Sequence, residues 1–112
     1  MTSAAIKSVS KDLSVGGPST CKSAWIPETL KFIKENNVSL DFISTHDYPF
    51  GEEPTRKSMF WAITKSRNGM VGNKMPLFFT EYNDGLSKPQ LHDTIYASAF
   101  AMHNIIGKIE HI

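Results

Sequence analysis

The chain predicts an α/β fold in which about three parallel strands alternate with helices. Three observations predict it. Short β-rich apolar runs recur between longer stretches of helical periodicity, in the order (α)βαβαβα. Two of the runs, "DFI" and "PLFF", are apolar at consecutive positions instead of alternating ones. Strands buried on both faces read this way, and parallel strands usually are so buried. Each run ends in polar residues: "GGPST", "STHDY" and "TEYN". In a parallel sheet those endings share the carboxyl edge, where α/β proteins place their sites.

Residues 2–10, "TSAAIKSVS", read as a short helix or the tail of one. The first strand is read as Leu13–Val15, stopped by Gly16, Gly17 and Pro18. Residues 25–37 predict a helix with Pro27 in its first turn and Ile26, Leu30 and Ile33 on one face. Trp25, like Trp61 in the next helix, is read as a packing residue. Residues 38–49, "VSLDFISTHDYP", predict the second strand, ended by Pro49. A polar loop follows at 50–57, then a helix at 58–68 with Gly69 as its stop. "MPLFFTEYN" predicts the third strand and residues 83–90 a loop. The longest helix is read over 92–109, capped by Asp93, with Ile95, Ala99, Met102, Ile106 and Ile109 on its apolar face.

A length of 112 residues bounds the chain at one domain. Lys and Arg number 12 against 11 Asp and Glu, which leaves no basic footprint for nucleic acid and no polybasic run for a membrane surface. The single cysteine, Cys21, forms no internal disulfide and no cysteine-based zinc site by itself. No apolar stretch approaches the ~18 residues that span a bilayer. The N-terminus lacks an apolar core of signal-peptide length. The chain therefore reads as soluble, with its compartment unspecified.

Glu81 is the first candidate for chemistry. Strict alternation groups Leu77, Phe79 and Glu81 on one side and Phe78, Thr80 and Tyr82 on the other. If Phe79 faces the interior of a barrel, Glu81 faces its mouth, flanked by Tyr82 and Asn83. Two readings stand here. Glu81 is a nucleophile or general base held by a rigid strand, or it is a solvated carboxylate at a loop entry, as charged residues mostly are. His46 shares a face with Phe42, Ser44 and Tyr48. It either meets a substrate hydroxyl or a neighbouring carboxylate, or it caps the strand end. Asp47 points the other way, toward the polar loop. "GGPST" lacks both the G-x-G-x-x-G spacing and the Gly-Lys-Ser/Thr ending of phosphate loops, so it reads as a tight turn. His92, His103 and His111 have no i, i+4 partner with a supporting carboxylate, so no metal site is expected. No cofactor is implied, and Cys21 reads as an idle or buried thiol.

The same stretches resemble a known family. "IKSVSKDLSVGGPST", "LDFISTHDYP", "PLFFTEYN" and "HDTIYASAFA" occur in this order in glycoside hydrolase family 39, which holds β-xylosidases and α-L-iduronidases on a (β/α)8 barrel. The similarity covers nearly the whole chain, and "TEYN" with "HDT" looks more like the β-xylosidase branch. The resemblance implies a fragment of a retaining glycosidase of carbohydrate metabolism, cleaving terminal β-xylosidic bonds. It implies part of the C-terminal half of the barrel, from late in the fourth helix to the seventh. Glu81 then matches the nucleophile at the end of the seventh strand. His46 matches a sugar-binding histidine at the end of the sixth, and "GGPS" the end of the fifth. Tyr48, Tyr82 and Asn83 join His46 as substrate-binding residues. The partners implied are a carbohydrate substrate and the remaining barrel strands.

Retaining hydrolysis needs two carboxyl groups ~5–5.5 Å apart. In the family the acid/base glutamate follows an asparagine at the end of the fourth strand. This chain has no such Asn-Glu pair; Glu35-Asn36 reverses the order and ends a helix. By itself the chain is therefore expected to be inactive. A catalytically inactive fragment and a small free-standing α/β ligand-binding domain remain the alternative readings, with α-L-iduronidase the alternative within the family.

Overall fold

The computed structural model describes residues 2–48, 56–85 and 92–110, with 56–62 and 107–110 described by their backbone alone. The elements are α1 (Thr2–Val9), β1 (Gly16–Cys21), α2 (Ile26–Glu35), β2 (Phe42–Asp47), α3 (Arg56–Gly69), β3 (Leu77–Tyr82) and α4 (Ile95–Glu110). The strands form one sheet in the order β1-β2-β3, and both pairs are parallel. The predicted class holds: three parallel strands alternate with helices, the pattern of part of a (β/α)8 barrel.

One face of the sheet is packed. Ile26 of α2, Ile43 of β2 and Met70, just past α3, are buried together, and Leu30, Leu40, Met75 and Leu77 pack against them. Alternation then puts Phe42 and Phe78 on the other face. Their rings meet edge-to-face with centroids 5.0 Å apart, and Phe78 stays half exposed there. Gly16 lies opposite Phe42 in register. A Cβ at Gly16 would overlap the Phe42 ring, so a side chain here would force that ring to move.

That contact explains the first correction. The strand is not Leu13–Val15 but "GGPSTC", residues Gly16–Cys21. The residues read as a strand-breaking turn are the strand, because the open face at its start is already filled by Phe42. Leu13 is exposed. Val15 secures the entrance: its N–H donates to Asp41 Oδ2 and its carbonyl accepts the Asp41 N–H, each at 2.7 Å. Lys7 Nζ lies 2.7 Å from the same carboxylate oxygen, tying α1 to both strand entrances. The hydrogen bond from Lys7, then that from Val15, holds the Asp41 carboxyl below the usual carboxylate range.

The helices also depart from expectation. Trp25 is exposed and left-handed (φ 60°), standing before α2 instead of packing inside it. Pro27 does lie in the first turn. α4 begins at Ile95, not at residue 92, and Thr94 caps its start. Thr94 Oγ1 accepts the Tyr96 N–H at 3.2 Å, and the Thr94 carbonyl accepts the Ala97 N–H at 3.1 Å. The expected apolar stripe of α4 faces outward: Ile95, Met102 and Ile106 are exposed, while Phe100 and Asn104 are buried. α4 is apolar nearly all round, so periodicity alone does not choose its packed side. Of the loop expected at 50–57, residues 56 and 57 open α3; Pro49, residues 50–55, the side chains of Trp61 and Ile109, and residues 86–91 lie outside the described residues.

β3 pairs with β2 irregularly. Its register with β2 runs Ile43↔Leu77, Ser44↔Phe78 and Thr45↔Phe79, then skips to His46↔Glu81 and Asp47↔Tyr82. Thr80 is the extra residue of a β-bulge, and its Oγ1 donates to the Thr45 carbonyl at 3.2 Å. The bulge inverts the alternation. Glu81 therefore shares the open face with Phe78, not with Leu77 and Phe79 as strict alternation predicted. Phe79 is on the helix side with Leu77 and is not an inward-facing residue.

Candidate active site

Register places three residues side by side at the carboxyl edge: Cys21 pairs with His46, and His46 with Glu81. Each is held by its own strand. β2 delivers His46 and, two residues on, Tyr48 to the same face. Their rings lie 6.4 Å apart at 65°. Tyr48 Oη donates a hydrogen bond to Glu81 Oε2 at 2.8 Å. This contact spans two strands and exists only because the bulge at Thr80 turns Glu81 to the open face.

The electrostatics follow from that contact. The Glu81 carboxylate favours the protonated phenol, so Tyr48 is pushed above the ordinary tyrosine value, chiefly by the hydrogen bond itself. Tyr48 therefore stays a donor across the neutral range. Asp47 occupies the opposite face and is half-buried; desolvation raises its carboxyl, against the opposing pull of the Tyr48 N–H and of Lys22 and Lys65. Its Oδ1 accepts the Tyr48 N–H at 2.9 Å, which orders the backbone that presents Tyr48.

The β1 end is fixed by hydroxyl groups. Thr45 Oγ1 accepts the Ser23 N–H at 3.1 Å and donates to the Thr20 carbonyl. Ser23 and Ser66 pair through their hydroxyls at 2.6 Å, and both are buried. Ser19, left out of the β1 register, pairs with Ser44 at 2.7 Å. Ser19, Lys22, Ser23 and Trp25 all adopt positive φ without being glycine. Such backbone persists only where its surroundings over-determine it. Here the surrounding hydroxyl pairs do so.

The sequence candidates are thus sorted by the structure. His46, Tyr48 and Glu81 come together on one face. Tyr82, next to Glu81, takes the opposite face, in register with Asp47. Asn83 follows β3 with its amide turned toward His92, Nδ2 to Nε2 3.4 Å. Cys21, expected to be idle, sits beside His46 on the same edge. Asp84 and His92 meet just past β3, outside the sequence candidates. The short spacing between "TEYN" and "HDT" was the available signal for those two. Among the described residues no group of three His, Cys, Asp or Glu is placed to hold a metal ion. No helix of the described residues is long and apolar enough to cross a membrane.

Parallel strands that gather a carboxylate, a phenol and an imidazole at their carboxyl edge invite comparison with known sugar-cleaving folds. The profile of "Glycosyl hydrolases family 39" matches residues 1–112. A β-xylosidase of Caldicellulosiruptor saccharolyticus is 37% identical over 118 residues, covering 95% of this chain and 24% of the relative. A β-xylosidase of Geobacillus stearothermophilus is 30% identical over 121 residues, covering 89% of this chain and 24% of the relative. Among solved structures, the GH39 enzyme of Xanthomonas axonopodis pv. citri superposes with a TM-score of 0.79 at 26% identity, covering 93% of this chain and 24% of that one. A monomeric β-xylosidase of Caulobacter crescentus CB15 gives a TM-score of 0.79 at 27% identity over the same shares of the two chains. The chain therefore spans about a quarter of the length of these relatives, and it belongs to glycosyl hydrolase family 39.

Proposed function

We propose that these residues are part of a retaining glycosidase that hydrolyses terminal β-xylosidic bonds, with Glu81 as the nucleophile. The segment would run from late in the fourth barrel helix, here α1, to the seventh, here α4. The observation that carries this reading is the Tyr48 Oη–Glu81 Oε2 hydrogen bond beside His46. A nucleophilic carboxylate must be ionised and aimed. Tyr48 holds one oxygen and leaves the other for the anomeric carbon. A neutral phenol donates this bond without the competing charge of a lysine or arginine. His46, in register with Glu81, suits a hydroxyl of the same sugar. Asn83 would border the site from just past β3, whereas Tyr82, the last residue of β3, lies on the opposite face with Asp47.

In the reaction, a Glu81 oxygen bonds the anomeric carbon as the glycosidic C–O bond breaks. Water then releases the sugar from the glycosyl-enzyme. The leaving oxygen must receive a proton from a second carboxyl group ~5–5.5 Å from the first. No Asn-Glu pair in residues 1–112 fits that role, so the proton donor would come from another part of the barrel. The xylosidase names of the two curated relatives favour a xyloside over an iduronide.

Two outcomes are expected of the complete polypeptide that carries this segment. Proton NMR of the first xylose released from an aryl β-xyloside shows the β-anomer; initial release of the α-anomer would exclude a glycosyl-enzyme. Tyr48→Phe lowers kcat/KM by about 10- to 100-fold, the worth of a hydrogen bond to a charged group. An unchanged kcat/KM would leave the phenol without a role in aiming Glu81.

A further inference from the structure

Just past Glu81 lies a polar chain that the proposed chemistry does not use. Asp84 is buried, and its side chain is fully shielded from solvent. Its Oδ1 lies 2.6 Å from His92 Nδ1. His92 Nε2 lies 3.4 Å from Asn83 Nδ2. Asn83 Oδ1 accepts the Asp84 N–H at 2.9 Å.

One protonation pattern satisfies all three contacts. An ionised carboxylate only accepts, so His92 carries its proton on Nδ1. Its Nε2 is then an acceptor and faces the amide nitrogen of Asn83. The Asn83 carbonyl oxygen is left for the Asp84 N–H. Each of the three contacts then pairs one donor with one acceptor, and the Asn83 amide is fixed in one orientation. Flipping it would set two donors against each other at Asp84. Asp84 Oδ2 finds no hydrogen-bond partner among the described residues. An apolar side chain would fill the same space without that unsatisfied oxygen. The carboxylate thus does something packing does not need: it selects the His92 tautomer.

We propose that His92, set by Asp84, is a positioning residue for glycoside hydrolysis: it locks Asn83 and so fixes the end of β3 that presents Glu81. The relay also fastens the segment before α4 to the end of β3. It acts through Asn83 and touches no substrate, and it rests on the reading of Glu81 as nucleophile.

The test uses the complete polypeptide that carries these residues, with Asn83→Ala, His92→Ala and the double variant. Each single substitution is expected to lower kcat by about 10- to 100-fold, as small misplacements of catalytic groups do. For His92→Ala, KM stays within about threefold, because His92 touches no substrate. The double variant is no worse than the poorer single, because both break one relay. Imidazole 15N NMR of the wild type near neutral pH shows His92 protonated on Nδ1, and Asp84→Ala moves the proton toward Nε2. Losses that multiply in the double variant, a KM that rises as kcat falls in His92→Ala, or a wild-type proton on Nε2 would each overturn the proposal. If a variant fails to fold, the wild-type tautomer still decides. If Glu81→Ala keeps its turnover, the nucleophile reading falls. The tautomer and its dependence on Asp84 then judge the relay separately.

Discussion

Glu81→Ala in the complete polypeptide is expected to lower turnover of aryl β-xylosides by at least about 10⁴-fold, the scale on which removal of a nucleophile acts. Binding changes little, because the lost bond forms only on the way to the glycosyl-enzyme. With an activated aryl leaving group, added azide should restore turnover. The small anion fits the space vacated by the carboxylate and attacks the same face of the sugar, leaving an α-xylosyl azide. Isolating that product identifies the position that attacks. Near-normal turnover in Glu81→Ala without azide would remove the assignment. So would rescue by azide that yields free β-xylose alone.

The second large effect concerns residues 1–112 expressed by themselves. They are expected to show no xyloside turnover and no sharp thermal transition. The chemical reason is the proton donor. General acid catalysis is typically worth ~10²–10⁴-fold, and no Asn-Glu pair in residues 1–112 fits that role. The physical reason is exposure. The open face carries Phe78 half exposed, and α4 carries Ile95 at 87% exposure together with Met102 and Ile106. Each such side chain forgoes roughly 1.5–3 kcal/mol relative to full burial, against a typical stability of about 5–15 kcal/mol. β1 and β3 each have one edge unpaired among the described residues, and such edges recruit other chains. Circular dichroism during heating, with size-exclusion chromatography, checks the claim. A monomer that melts cooperatively would defeat it.

How far the sequence was legible depends on the signal each element carries. β2 and β3 could be read because "DFI" and "PLFF" are runs of large apolar residues. β1 could not. Its first residue is a glycine because Phe42 fills the space beside it, and that reason lies on another strand. The packed side of α4 was hidden for the opposite cause: too many apolar residues, so no stripe stands out. At the site, the grouping of His46 with Tyr48 followed from alternation. The grouping of Glu81 with them did not, because the Thr80 bulge is a property of pairing and leaves no mark on composition. The Asp84–His92 contact crosses a gap of eight residues that no periodicity predicts.

The bulge also separates two demands on one strand. Before Thr80, Leu77 and Phe79 answer to the helix layer. After it, Glu81 answers to the open face. Without the extra residue, a single phase would govern both, and aiming the carboxylate would mean turning the apolar side chains out of the core. With it, Leu77 and Phe79 can be exchanged for other apolar residues while Glu81 keeps its heading. Loss of one residue at this point would do what no single substitution does. It would swap the two faces of everything downstream, sending Tyr82 to the mouth and Glu81 into the helix layer. β3 in this sense tolerates changes of spelling far better than a change of count.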